Sequence, residues 1–283
     1  MKYKIGDVSK VLGISPDLLR YYQKKGVVSP SIGENNNYRY YDAWDINFLI
    51  DCLWFKNLGF GIEQTAKLVA HSSYDEILSD IDNKEQELRD NIIRAEMMLQ
   101  RTAQYTSALR RSRRLLGKCT LVYSPEIYRY LNRFNREYEN IRELQDLSHQ
   151  WLSYMPFLTR SFEISRTDLA NKTDNYAWGY AMDMQFVRAL NVPLQEPVAH
   201  LPSEPSVHTV FTSSGKTNFS PRHLKPAMDY IRANNLVVNG NARGNLIASI
   251  VEDGELRGYF DVWIPIEPRE DLHFLNMEQL DEA

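Results

Sequence analysis

Two groups of residues in this 283-residue chain could do chemistry. The first is the stretch "LLRYYQKKGVV" (18–28), which packs an arginine, two tyrosines and two lysines between apolar residues. Helical periodicity sets Leu18, Leu19 and Tyr22 near one face and Arg20, Gln23 and Lys24 largely on the other. A helix divided in this way can anchor to a neighbour through its apolar side and present the polar side to a DNA major groove. Arginine bonds guanine bidentately, while tyrosine hydroxyls and lysines suit phosphates. Tyr22 stands between two roles, core residue or phosphate contact. The second group is a pair of aromatic rows with acids among them, "YAWGYAMDM" (176–184) and "YFDVWIPIE" (259–267). Strand alternation aligns Tyr176, Trp178 and Tyr180, with Met182 and Met184 continuing the row, and it aligns Tyr259, Asp261 and Trp263. Such rows either pack a core or line a ligand cleft; taken as a cluster, they read as a cleft. Tyr128 and Tyr154 are further candidates for its lining.

Other chemistries lack their residues. Cys52 and Cys119 are far apart and have no CxxC or Cys/His spacing, and the six histidines are scattered. This pattern gives no zinc site, iron–sulfur site or disulfide framework, and no metal or cofactor is expected. No GxSxG, HExxH or P-loop pattern occurs. No apolar run of about 18 residues or signal-peptide core is present, so a cytosolic protein with no membrane partner is expected. Charge is uneven: residues 1–70 carry nine Lys/Arg against seven Asp/Glu, residues 71–118 nine against eight, and residues 119–283 fifteen against twenty-two. A mildly basic front and an acidic back suggest partners of opposite sign.

The elements that must position these residues fall into three zones. In residues 1–72, a short helix over 5–12 ends at Gly13. Ser15 then caps a second helix with Pro16 at its first position, and Gly26 stops it. "SPSIGENNNYRYYD" reads as a hairpin with Gly33 and three asparagines at its tip, and two more helices follow, at about 43–57 and 62–71. This is a winged helix-turn-helix. Residues 73–117 hold one long helix free of Pro and Gly. A 3/4 spacing runs from Tyr74, Ile77 and Ile81 through Lys84, Leu88 and Asn91, then Ala95, Met98 and Thr102, to Tyr105 and Leu109. It predicts a coiled-coil seam for dimerisation. "RRSRR" (110–114) reads as a solvated helix end favoured by the dipole. Residues 118–283 are α+β, with strand–helix–strand–strand written twice: 126–131, 138–154, 160–165 and 176–184, then 206–211, 221–235, 246–252 and 256–265. The duplication predicts an antiparallel sheet with helices on one face and a cleft between the halves. The fold class is therefore α+β and multidomain.

Three segments, "YKIGDVSKVLGISPDLLRYYQKKGVVSP", "YRYYDAWDINFL" and "LGFGIEQTAKLV", resemble the MerR family of transcription regulators across residues 1 to about 72. The resemblance implies an antiparallel coiled-coil homodimer on a palindromic operator. It also implies activation by distortion of an overlong promoter spacer, so that RNA polymerase holoenzyme engages both promoter elements. By motif position it implies DNA contacts from Arg20 and Tyr21, from Tyr38 and Arg39 on the wing, from Lys56 at a basic second-wing position, and from Lys4 and Lys24. "YFDVWIPIE" makes the C-terminal zone similar to the GyrI-like effector-binding domain of multidrug-sensing members. That implies a pocket for bulky lipophilic cations, in which aromatic faces and a desolvated acid hold a delocalised charge. Asp261 stands where that acid is expected, and Glu163 or Asp183 could substitute. A regulator of efflux or detoxification genes is the expected function. The alternatives are a small-molecule hydrolase built on the same cleft and a protein that sequesters drugs.

Overall fold

The computed structural model describes residues 2–33, 38–215 and 219–282. The chain divides into two compact units, residues 1–92 and 93–283.

The first unit runs β1 (Tyr3–Lys4), α1 (Ile5–Leu12), α2 (Pro16–Lys24), β2 (Ser31–Ile32), β3 (Arg39–Tyr41), α3 (Ala43–Asn57), α4 (Ile62–His71) and the start of α5 (Tyr74–Arg114). Helix boundaries follow from local chemistry. Gly13 ends α1 at φ 65°, in the left-handed region that glycine adopts without strain. Ser15 caps α2 by accepting the Leu18 N–H at 3.2 Å, with Pro16 in the first turn. Asp42 caps α3, accepting from the Trp44 and Asp45 amides at 2.8 and 3.0 Å. The buried Asp45 carboxylate in turn accepts the Ser29 amide at 2.8 Å, which ties the loop before the wing to the start of α3. Val8, Leu19, Tyr22, Tyr41 and Leu49 close the core beneath α1 and α2. The β2–β3 wing pairs antiparallel, with Ser31 opposite Tyr40 and Ile32 opposite Arg39. The expected asparagine tip, Asn35–Asn37, lies outside the described residues.

Helix α5 departs in part from the expected seam. Ile77 and Ile81 pack on the cluster of Phe55, Phe60 and Leu68, and the Lys84 ammonium sits 5.1 Å from the centroid of the Phe60 ring. This part of the 3/4 repeat serves the helix's own unit. Beyond it the exposed apolar residues include Leu88, Met98, Tyr105 and Leu109 of the predicted seam, with Ile92 and Leu99 beside them.

The second unit begins with the remainder of α5. It continues with β4 (Cys119–Tyr123), β5 (Ile127–Phe134), β6 (Glu137–Tyr138), α6 (Arg142–Leu152), β7 (Leu158–Ile164), α7 (Arg166–Asn171), β8 (Ala177–Asp183) and α8 (Met184–Ala189). There follow β9 (Ala199–Leu201), β10 (Pro205–Ser214), a 3-10 turn (Pro221–Leu224), α9 (Lys225–Ala233), β11 (Ala242–Glu252), β12 (Glu255–Pro265) and α10 (Met277–Glu282). The sheet order is β4-β10-β12-β11-β7-β8-β5-β6, with β9 also on β5. The duplicated strand–helix–strand–strand pattern thus folds as two triads, β5-β8-β7 and β10-β12-β11, joined where β7 pairs with β11 from Ser161–Asn245 to Ile164–Ala242. One face is covered by α6 and α9: Leu144, Leu147 and Trp151 of α6 pack with Tyr130 and Met182, and Ala227 and Ile231 of α9 pack with Phe162, Phe260, Val262 and Ile264. Gly179 allows the closest approach inside the first triad, since a Cβ there would stand 1.8 Å from the Tyr130 carbonyl oxygen.

Candidate functional site

The polar face of α2 and the wing meet in the first unit. Arg20 is exposed and pairs with Asp17 at 2.5 Å, an exposed contact that constrains it little. Lys24 is exposed beside it. From the wing, the Arg39 Nε donates to Gln23 Oε1 at 2.7 Å, fixing β3 against α2. Lys4 Nζ lies 5.6 Å from the centroid of the Tyr38 ring. Tyr38 and Lys56 are exposed, and Tyr21 is half-buried with the Lys25 ammonium over its ring at 5.7 Å.

Tyr22 resolves to the core. It is 1 % exposed, and burial together with its Cys52 neighbour pushes its hydroxyl up to about 12. A phosphate contact needs an accessible hydroxyl, so Tyr22 leaves the set of DNA candidates. Tyr22→Phe is expected to leave DNA affinity unchanged and to lower stability by about 0.5–1.5 kcal/mol through loss of one hydrogen bond. A loss of DNA affinity at unchanged stability would restore Tyr22 to the interface. Measuring both on the same preparation decides the matter.

The second unit holds a cleft of about 510 Å³ on the sheet face opposite α6 and α9, between that face and the last third of α5. Arg101 reaches across from α5, donating to the Pro156 carbonyl at 2.9 Å, the Leu158 carbonyl at 3.2 Å and Thr159 Oγ1 at 3.0 Å. One turn on, Gln104 donates to Asp183 Oδ2 at 3.1 Å. Two turns further, Arg111 donates to Asp261 from Nη2 at 2.7 Å and from Nε at 3.4 Å, and to Asp281 from Nη1. His208 Nε2 bonds the same Asp261 at 2.8 Å. Trp263 walls the floor, and its indole N–H has no partner among the described residues; Asn245 Oδ1 and Gln104 Oε1 are similarly unpaired.

Two of the cleft carboxyls, Asp261 and Asp183, are driven in opposite directions. Burial alone would raise Asp261, but hydrogen bonds from His208 and the charge of Arg111 outweigh it and hold Asp261 below the usual carboxylate range. Asp183 is half-buried at the cleft. Its arginine neighbour and its bonds to Gln104 and Gln185 do not compensate, so burial lifts it above that range.

The structure corrects several sequence expectations here. Tyr176, Trp178 and Tyr180 do share a face, but it is the helix-covered one: Trp178 packs on Phe162, Phe219 and Phe260, and Tyr180 packs beside Tyr130. Asp183, at the other phase of β8, is the residue that reaches the cleft. Tyr176 lies against Phe219 beside a separate shallow groove. Tyr128 stacks on His200, and Tyr154 packs against the core of the first triad. Tyr259 shares the face of Asp261 but sits beyond the cleft, donating to Glu252 at 3.0 Å. Glu163 is held by Arg129 and does not line the cleft. Asp261 and Trp263 do line it. Finally, "RRSRR" is solvated only at Arg110 and Arg113: Arg111 is 6 % exposed, and Arg114 donates to the carbonyls of Leu280 and Asp281. A basic run at the end of a helix carries no sign of which of its arginines meets a buried acid about 150 residues away.

Among the described residues, no group of three or more His, Cys, Asp or Glu is placed to hold a metal ion, and no helix is long and apolar enough to cross a membrane.

Residues 3–72 match the family described as "MerR HTH family regulatory protein". The chain is 38% identical over 66 residues to the HTH-type transcriptional regulator HmrR of Sinorhizobium medicae, covering 23% of this chain and 45% of that one. It is 29% identical over 75 residues to the HTH-type transcriptional activator mta of Bacillus subtilis, covering 26% and 29%. The chain thus spans less than half the length of these curated relatives. A cryo-EM structure of an EcmrR–DNA complex aligns with 94% of this chain and 100% of its own, at 18% identity and a TM-score of 0.36.

Proposed function

We propose that this chain, whose N-terminal segment is a MerR-type helix-turn-helix domain, is a dimeric, ligand-responsive transcription regulator. In this reading residues 1–72 hold a palindromic promoter, residues 73–117 dimerise and transmit, and residues 118–283 take a hydrophobic, cationic small molecule in the cleft beneath α5. The observation that carries the reading is the family match over residues 3–72, on a domain whose α2 presents Arg20 and Lys24 beside a wing braced by Arg39. Of the predicted contacts, Arg20, Tyr21, Lys24, Tyr38, Arg39, Lys56 and Lys4 stay assigned to DNA. The exposed Leu88, Ile92 and Leu99 on α5 suit a second copy of the helix. The cleft supports ligand binding through its size, the unpaired Trp263 indole, and a floor of charged groups. Effector binding would alter how the promoter spacer is twisted, a deformation that RNA polymerase reads.

Full-length protein, a duplex from upstream of its own coding sequence, and a panel of aromatic cations and neutral analogues test this. Selective binding is expected at about 10⁻⁸ M or tighter at physiological salt. An effector from the panel should raise transcription by RNA polymerase in vitro with little change in DNA affinity. Ala108→Trp, which fills the cleft from α5, should abolish the response and leave DNA binding intact. Equal affinity for the duplex and for random DNA, with and without every panel compound, would remove the regulator reading.

A further inference from the structure

We propose that Arg111 is a built-in occupant of the effector's charged subsite, and that the effector carries a planar, forked cation of the amidinium or guanidinium type that replaces Arg111 on Asp261. The inference rests on the reading of the cleft as the effector site and adds how that site is regulated.

The geometry selects the cation. Arg111 meets Asp261 side-on, with Nε and Nη2 directed at separate carboxylate oxygens. Asp281 shares the same guanidinium through Nη1. Two carboxylates thus converge on one cation on a cleft floor whose Asp261 is 2 % exposed. A neutral molecule that pushed Arg111 aside would leave Asp261 buried without a counter-charge, which is strongly unfavourable. An ammonium would supply a point charge without the planar fork. An amidinium reproduces both bonds, and an aryl group attached to it lies against Trp263.

The exchange has a mechanical consequence. Arg111 and Arg114 stand in the last turn of α5 and fasten it to β12 and α10. Removing Arg111 from Asp261 takes away the bond between α5 and the sheet at this point. The end of the helix that begins in the DNA-binding unit is then held by fewer contacts. Occupancy of the cleft is in this way converted into a change at α5.

Benzamidine and benzamide, which share a shape and differ in charge, test this on the full-length protein. Affinity is read by tryptophan fluorescence, and amide hydrogen exchange is followed over residues 108–114 and over the cleft strands at 158–160 and 245–247. Benzamidine is expected to bind about tenfold tighter or more, to slow exchange in the cleft strands, and to speed it over 108–114. Benzamide should not affect 108–114. In Arg111→Met, benzamidine affinity should rise while benzamide affinity holds. In Arg111→Met/Asp261→Asn the two compounds should bind alike. If Arg111→Met fails to fold, the wild-type comparison decides alone. Cleft protection with equal affinities, or with 108–114 slowed by benzamidine, overturns the exchange and leaves the cleft as the ligand site. Protection confined to another part of the unit overturns both.

Discussion

Asp261→Asn is expected to destabilise the C-terminal unit by about 3–5 kcal/mol at pH 7, because it leaves the buried Arg111 guanidinium with one of its two carboxylate partners. The effect carries a pH signature. Asp261 titrates below its ordinary value in the folded unit. Its contribution is therefore complete above the unfolded carboxyl value, about 4, and fades as pH falls through the depressed folded value. Wild type and variant should converge in acid. Asp183 runs the other way. Its folded value is raised, so what it contributes is present at low pH and lost as pH rises through that value. Asp183→Asn should accordingly match wild type in acid and equal or exceed it at neutral pH. Urea unfolding followed through the buried Trp151, Trp178 and Trp263 measures both. A wild-type advantage over Asp261→Asn that stays constant from pH 7 to pH 3 would mean that the ion pair is not its source.

These carboxyls mark where the sequence stops being legible. Local chemistry was readable: Ser15, Pro16 and Gly13 announce the turn between α1 and α2, and the doubled strand–helix–strand–strand pattern foretells the two sheet triads. Period-2 alternation also placed Tyr259, Asp261 and Trp263 on one face, opposite Phe260, Val262 and Ile264. What alternation does not say is which face the helices cover. For β12 the helix-covered set is Phe260, Val262 and Ile264, without the acid, whereas for β8 it is the aromatic set, because Trp178 and Tyr180 pack toward the helices and Asp183 is left to the cleft. A row of large aromatics satisfies a core as well as it satisfies a ligand, and only the partner layer distinguishes the two. The ion cluster is less legible still. His208, Arg111 and Asp281 come from β10, α5 and α10, and no spacing in the chain links them.

The neighbours Leu19 and Arg20 should separate folding from recognition within one turn of α2. Leu19 is fully buried in the cluster with Val8, Tyr22 and Leu49, so Leu19→Ala is expected to cost the N-terminal unit about 2–5 kcal/mol. Its DNA affinity should recover when the fold is restored by low temperature or an osmolyte. Arg20 pairs with Asp17 in an exposed contact, so Arg20→Ala should leave the unfolding midpoint in place. If Arg20 reads a base, its loss should weaken specific binding by about 1–3 kcal/mol, roughly fivefold to more than a hundredfold, and relax sequence preference at one position in each half-site. If it contacts only phosphate, affinity should fall evenly across sequences, with a shallower salt dependence. Parallel unfolding curves and competition against operator variants at two salt concentrations distinguish these cases. An Arg20→Ala protein that binds the operator as wild type does would remove this face of α2 from the interface and leave the wing residues Tyr38 and Arg39 to carry recognition.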